Sequence, residues 1–211
     1  FIQLAQDETK KHFVATPNAE IILQAQKDKK LKTFLQQCSL NFPDAVSLLW
    51  AAEYEAKKWH KFRAVLELLF LPIRKKNWRT LPERVTGSDS FEKICAKATQ
   101  KNLSIALIGG GKNVGQATKK KLLAKFPTLK ITATIDGIPF EDFGKKEVLE
   151  KLEGAQIIFV ALGCPRQEYW IAENLNKIES SRVAIGVGGT FDFYAGKINR
   201  APKLLQSMSL E

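Results

Sequence analysis

The sequence predicts an α/β fold in which a largely parallel sheet carries helices on both faces. Short apolar runs of strand length alternate with segments of helical period, the pattern expected of strands joined by crossover helices. Several of the apolar runs end in glycine-rich turns, at Gly109-Gly110-Gly111, at Gly163 and at Gly188-Gly189. No internal repeat or low-complexity linker breaks the order.

Each element follows from its residues. Residues 12–16 (His-Phe-Val-Ala-Thr) read as a short strand, and Thr16-Pro17-Asn18-Ala19-Glu20 then opens a helix with Thr or Asn near its cap and Pro in its first turn. That helix runs to about residue 30, and a second is expected over residues 31–37. Residues 39–43 form a strand ending at Asp44, and residues 45–58 read as helix. Asp44 therefore stands between a strand end and a helix start, where polar side chains converge in such folds. Residues 82–87 read as a short strand and turn, and residues 90–99 as a helix. The buried strand 103–108 runs into the glycine turn. Helix 113–126, strand 130–135, helix 145–152, strand 155–161, helix 166–176 and strand 182–187 complete a Rossmann-like order whose pocket is expected at the C-terminal ends of the strands.

The chain has 211 residues, 45% hydrophobic and 26% charged, enough for one domain over residues 1–211. Its formal charge of +11 points to an anionic partner, whether nucleic acid, phospholipid or a phosphorylated substrate. Aromatic and basic residues do not alternate in a recognisable RNA-binding signature, which argues against nucleic acid. Three widely spaced cysteines, Cys38, Cys95 and Cys164, form neither a disulfide framework nor a zinc pattern, so a reducing cytoplasm is expected. The first residues lack a basic stretch followed by an apolar one, and no apolar run reaches the roughly 18 residues that span a bilayer. Any membrane association is expected to be peripheral.

Three clusters carry candidate chemistry. Gly109-x-Gly111-x-x-x-Gly115 after a buried strand is a candidate phosphate cradle, since glycines let backbone N–H groups approach an anion at a helix start. Its spacing departs by one residue from the dinucleotide fingerprint. Asp136, at the end of the next strand, stands where that fingerprint places a ribose-binding acid, which keeps a dinucleotide-dependent oxidoreductase open as an alternative. A tight strand-to-helix turn explains the same glycines. In Gly163-Cys164-Pro165-Arg166-Gln167-Glu168, Cys164 is a possible nucleophile, but neither His12 nor His60 sits in a motif that would make it the partner base. Gln167 suits hydrogen-bonded reading of a sugar or base. In Gly186–Gly196, Gly188 and Gly189 allow close approach of a ligand, and Asp192 places a carboxylate beside it. No Asp-x-Asp, G-x-x-x-x-G-K-[ST], G-x-S-x-G or H-E-x-x-H is present, so metal-dependent chemistry is not indicated.

Taken in order, these stretches resemble one family, the WecG/TagA/CpsF glycosyltransferases. The resemblance rests on Thr16-Pro17-Asn18, Phe42-Pro43-Asp44, Pro82-Glu83-Arg84-Val85-Thr86-Gly87, the turn from Leu107 to Gly115, Gly163 to Glu168, and Gly186 to Gly196 with Arg200-Ala201-Pro202. It implies the fold of that family, termed GT-E. It also implies transfer of N-acetylmannosamine or its uronic acid from UDP to polyprenyl-diphosphate-linked N-acetylglucosamine, with inversion and without a metal or other cofactor. Such enzymes build surface polysaccharide or teichoic acid at the inner face of the cell membrane. By resemblance Asp44 is the general base, Arg84 stabilises the leaving diphosphate, and Thr16, Asn18, Gln167 and Asp192 line the donor pocket; Gly109, Gly111, Asp136, Gly188 and Gly189 are further candidate binding positions. The chain departs from the family in Ala45, where a Gly usually follows the Asp, and in a stretch between Asp44 and Arg84 about twenty residues longer than usual. The family's basic C-terminal appendage is expected beyond Glu211.

Residues 57–79 form a basic amphipathic insertion. Lys57, Lys58, Lys61, Arg63, Arg74, Lys75, Lys76 and Arg79 stand against Glu67 alone, a net +7 of the chain's +11. The apolar run from Ala64 to Ile73 between these flanks is too short to span a bilayer and long enough for an interfacial helix. Trp59 and Trp78 are placed as boundary aromatics, so the segment is expected to meet an anionic membrane surface. A core helix with a solvated basic edge, or an oligomer contact, accounts for the same pattern.

Overall fold

The computed structural model describes residues 1–70 and 78–198, apart from the side chain of Leu68. Arg74, Lys75, Lys76 and the Arg200-Ala201-Pro202 motif lie outside the described residues. The elements are α1 (Ile2–Ala5), β1 (His12–Ala15), α2 (Ala19–Lys27), α3 (Lys29–Gln37), β2 (Leu40–Asn41), α4 (Val46–Lys57), α5 (Lys61–Leu69), α6 (Gly87–Gln100), β3 (Ser104–Gly109), α7 (Val114–Lys125), β4 (Lys130–Ile135), α8 (Lys146–Glu150), β5 (Ile157–Ala161), α9 (Arg166–Asn174), β6 (Val183–Gly186) and α10 (Thr190–Ala195).

The six strands form one parallel sheet in the order β2-β1-β6-β5-β3-β4. Strand side chains point alternately to opposite faces, and the core divides accordingly. Ile105, Leu107, Ile157, Phe159, Val183 and Ile185 pack on one face against Phe91 and Ile94 of α6, Leu122 of α7 and Phe191 of α10. Ala106, Ile108, Ile158, Val160 and Ala184 pack on the other against Phe34 of α3, Leu149 of α8 and Trp170 and Ile171 of α9. Strands buried on both faces read as unbroken apolar runs, which is why β3, β5 and β6 were legible.

Two differences from the sequence expectation concern the region near the site. Residues 82–86 form no strand. Val85 N–H donates to Pro43 O at 3.0 Å and ties them beside β2, and a proline lacks the donor that a ladder needs. Helix α6 begins at Gly87 rather than at residue 90, because Thr86 Oγ1 accepts the Asp89 N–H at 3.2 Å and caps it.

Trp59 and Trp78 are not boundary aromatics. Both are buried with Ala64 in a small second core, packed against Val46, Leu49, Trp50 and Tyr54 of α4. Trp50 Nε1 donates to Ala64 O at 3.2 Å, and Trp78 Nε1 to Glu67 Oε2 at 3.2 Å. The large apolar area of an indole favours the dry interior. Trp78 is buried with its N–H satisfied, whereas Trp59 Nε1 is buried without a hydrogen-bond partner, so Trp59 is held inside by apolar packing.

Glu53 ties α4 to the chain just after Trp78 and so closes this small core. Its carboxylate accepts the backbone N–H groups of Arg79 and Thr80, the latter at 2.6 Å, and lies 2.7 Å from Lys57 Nζ. Burial pushes this carboxyl up, but the hydrogen bonds from Lys57, Thr80 and Arg79 outweigh it and bring it from 4.5 down to about 2. A depressed folded-state value means that the tie is at full strength above about pH 4.5 and is lost as pH falls toward about 2. Loss of charge-assisted bonds worth about 2 kcal/mol should lower the melting temperature of Glu53→Gln by about 4–8 °C at pH 7. The gap to wild type should close on acidification, and melting curves that stay parallel from pH 7 to pH 2 would show that Glu53 is not the acid-labile tie.

Candidate active site

The C-terminal ends of the strands lie along one edge of the sheet, and the helices that follow neighbouring strands leave it toward opposite faces. After β1 the chain passes through α2 to α3 on one face, while α10, after β6, packs on the other. The chain therefore parts between β1 and β6, the arrangement that leaves a ligand crevice in open α/β sheets. A cavity of about 930 Å³ occupies it. Thr16 and Asn18 enter its lining from the end of β1, Asp44 from β2, Gly163, Cys164 and Gln167 from β5, and Gly188, Gly189 and Thr190 from β6; Arg84, Thr86 and Gly87 close it from the start of α6. Residues far apart in sequence meet because every parallel strand delivers its exit loop to the same edge.

The floor is stitched by hydrogen bonds. Thr16 Oγ1 donates to Gly186 O at 2.9 Å and locks β1 to β6, and Asn18 Oδ1 accepts Ile21 N–H at 2.9 Å and caps α2. Gln167 is buried: its Oε1 accepts Gly188 N–H at 3.0 Å and its Nε2 donates to Glu168 Oε1 at 2.8 Å. A Cβ at Gly186 would stand 2.7 Å from Gln167 Nε2, so only glycine lets the amide pass beneath the β6 turn.

Asp44 is placed by backbone on both sides. Its own N–H donates to Pro17 O at 2.9 Å, and Pro43 O receives Val85 N–H at 3.0 Å, which brings the Arg84 loop alongside. A methyl group at Gly87 would lie 3.6 Å from Asp44 Oδ2 and 3.3 Å from Thr190 Oγ1, so a glycine there keeps the space between the two groups open.

Three thiols are poor nucleophiles. Burial, then the nearby Glu168, pushes the Cys164 thiol up to about 12; the same two causes raise Cys38 to about 12, and burial raises Cys95. Glu168 Oε2 is buried without a hydrogen-bond partner, and burial pushes its carboxyl up. His12 sits at the opposite edge of the sheet, where it is 2.8 Å from both Ser39 Oγ and Asp7 Oδ2.

A second cavity of about 370 Å³ lies beside the first and shares Gly163, Gly188 and Gly189 with it. Gly110, Gly111, Arg166 and Asp192 line it, with the apolar Ile138, Phe140, Phe143 and Leu162. Gly111 and Asp192 thus come together here rather than in the larger cavity. Gly109 and Asp136 line neither. Gly109 has φ +97° and would carry a Cβ 2.4 Å from Ala161 O, so its lack of a side chain serves the close approach of β3 and β5. Asp136 Oδ2 accepts Gln116 N–H at 3.0 Å in the first turn of α7, satisfying a helix-end donor.

Ser47, Ser88, Gln24 and Phe193 also line the larger cavity and were not singled out from sequence. For Ser88 a signal existed in the Thr86-x-x-Asp89 cap, which sets the helix start and turns the next residues to the cavity. The others became visible only when α2, α4 and α10 were placed around the crevice. Among the described residues, no group of three or more His, Cys, Asp or Glu is assembled that could hold a metal ion.

Comparison with known proteins identifies the family. A relative from Bacillus spizizenii, an N-acetylglucosaminyldiphosphoundecaprenol N-acetyl-beta-D-mannosaminyltransferase, is 27% identical over 206 residues, which is 97% of this chain and 70% of the relative. The family model described as the glycosyl transferase WecG/TagA/CpsF family matches in two stretches, residues 1–69 and 68–211, that meet inside the basic segment. With the parallel sheet, the crevice at its C-terminal edge and a match along the whole chain, the protein belongs to the WecG/TagA/CpsF family of glycosyl transferases.

Proposed function

We propose that the protein transfers N-acetylmannosamine, or its uronic acid, from UDP to N-acetylglucosamine carried by a polyprenyl diphosphate, with inversion and without a metal, in the building of surface polysaccharide or teichoic acid at the inner face of the cell membrane. The observation that carries this reading is the gathering of Thr16, Asn18, Asp44, Arg84 and Gln167, which come from four separate parts of the chain, around one cavity. The relative's name supplies the acceptor and the sugar.

In this reaction the Asp44 carboxylate takes the proton of the acceptor hydroxyl as its oxygen attacks the anomeric carbon of the donor sugar. The bond from that carbon to the diphosphate breaks on the opposite side, and UDP leaves with the electron pair. Arg84 meets the charge that develops on the diphosphate, since a guanidinium stays charged and binds two phosphate oxygens at once. The Gly188 and Gly189 turn, held from below by Gln167, brings backbone close to the donor. Metal independence is supported by the absence of an Asp-x-Asp in the sequence.

The dinucleotide reading loses support because Asp136 is committed to the first turn of α7. A thermal-shift series tests the choice. UDP at about 100 times its dissociation constant should raise the melting temperature by about 5–10 °C, NAD(P) should not, and EDTA should leave the transfer rate unchanged. Stabilisation by NAD(P) without UDP, or strict dependence of transfer on added Mg²⁺ or Mn²⁺, would overturn the assignment.

A further inference from the structure

Helix α5 presents two faces of opposite character. Ala64 and Glu67 turn inward onto the core around Trp59 and Trp78. Phe62, Val65 and Leu69 point outward, 71%, 53% and 70% exposed, and Phe70 just beyond the helix is 50% exposed. At 3.6 residues per turn, positions 62, 65 and 69 fall within an arc of about 60°, roughly opposite Ala64 and Glu67. Lys61 stands about 100° to one side of Phe62 on the same projection and is exposed, as is Lys58 at the end of α4, while Arg63 on the other side turns back toward Glu67, 3.9 Å away, and over the Trp59 ring. The one acidic residue of the segment, Glu67, is withdrawn from this surface.

We propose that this outer face of α5 docks on an anionic bilayer surface, with Phe62, Val65, Leu69 and Phe70 entering the headgroup–acyl boundary and Lys58 and Lys61 meeting lipid phosphates. Nine residues of helix extend about 14 Å, well short of the roughly 30 Å hydrocarbon core, so the helix lies in the interface and does not cross it. An apolar stripe flanked by cations, with no acid of its own segment facing outward, is complementary to a phosphate-covered apolar layer.

The anchor is joined to the active site through one rigid element. The first turn of α4 places Val46 and Ser47 in the cavity wall immediately after Asp44, and farther along the same helix Trp50, Glu53 and Tyr54 hold the small core under α5. Docking through α5 therefore fixes the height and tilt of the Asp44 side of the cavity relative to the bilayer. The benefit to catalysis rests on the acceptor's being lipid-linked, as proposed above; the docking itself does not.

The test uses the full chain and vesicles free of any sugar acceptor, made of phosphatidylcholine with or without phosphatidylglycerol. Wild type should sediment with the anionic vesicles and much less with the neutral ones. Phe62→Ser/Leu69→Ser should lower the partition coefficient by about tenfold or more, and Lys61→Glu should lower it on anionic vesicles only. Both residues of the double variant are exposed, so its melting temperature and its transfer to a water-soluble acceptor of short lipid chain should match wild type. Failure of wild type to sediment, equal sedimentation of wild type and the double variant, or equal binding to neutral and anionic vesicles would overturn the proposal. Self-association through the stripe without vesicle binding would overturn it in favour of a second copy as occupant. Loss of transfer by wild type to the soluble acceptor would instead count against the function proposed above and leave the vesicle result standing.

Discussion

Asp44→Asn should reduce transfer by about 10²–10⁴-fold, the range for removal of a positioned general base, while UDP affinity stays close to wild type. The amide has the size and shape of the carboxylate, and Asp44 is positioned by its backbone N–H to Pro17 O and by the neighbouring Pro43–Val85 bond, neither of which the substitution touches. The loss should therefore appear in kcat. Initial rates on a soluble acceptor, with calorimetric titration of UDP, separate the two quantities. An Asn variant that retained more than half of the wild-type rate would remove Asp44 from the role of base, and a variant that also lost UDP binding would place the side chain on the donor.

Arg84→Ala should lower kcat by about 10²–10³-fold, the scale for loss of one group that meets developing negative charge in a site sheltered from water. Arg84 reaches the cavity from the loop just before α6, where the next residue, Val85, donates its N–H to Pro43 O. Arg84→Lys should recover only part of the loss, because an ammonium keeps the charge without the planar fork that spans two phosphate oxygens. The discriminating measurement is a set of donors whose leaving groups differ in basicity. The Ala variant should be most impaired with the poorest leaving group, and uniform impairment across the set would assign Arg84 to ground-state binding.

How far the site could be read in advance depended on which interactions hold each residue. Asp44 and Gln167 were legible because each stands just past a strand of a parallel sheet, and such positions converge on one edge whatever the order of the strands. Asp136 satisfies the same rule from β4 and still lines neither cavity. What separates them is the neighbour: Gly115 lets α7 approach so closely that its Gln116 N–H takes the Asp136 carboxylate. A single sequence carries no trace of which of two nearby donors a carboxylate will choose. Gly109 and Gly111 likewise share one sequence motif, and the structure separates them, with Gly109 serving the approach of two strands and Gly111 facing a cavity.

The basic segment shows the same boundary. Its local charge, its short apolar run and its amphipathic period are sequence properties, and α5 follows from them. Which aromatics face inward was decided by long-range partners: Trp78 meets Glu67 and Trp59 packs beside Ala64, while Phe62 and Leu69 are left outside.

The amino-acid order alone determined the α/β class, most of the strands and helices, the family and the strand-end position of Asp44, because burial on both sheet faces and helix capping are written in neighbouring residues. Tertiary structure alone decided the strand order β2-β1-β6-β5-β3-β4, and with it the crevice between β1 and β6 where Thr16, Asp44, Arg84 and Gln167 meet. Strands of similar apolar composition can pair in many orders, and the choice among them rests on crossover packing between distant segments, as where His12 of β1 meets Val183 of β6, which no local pattern encodes.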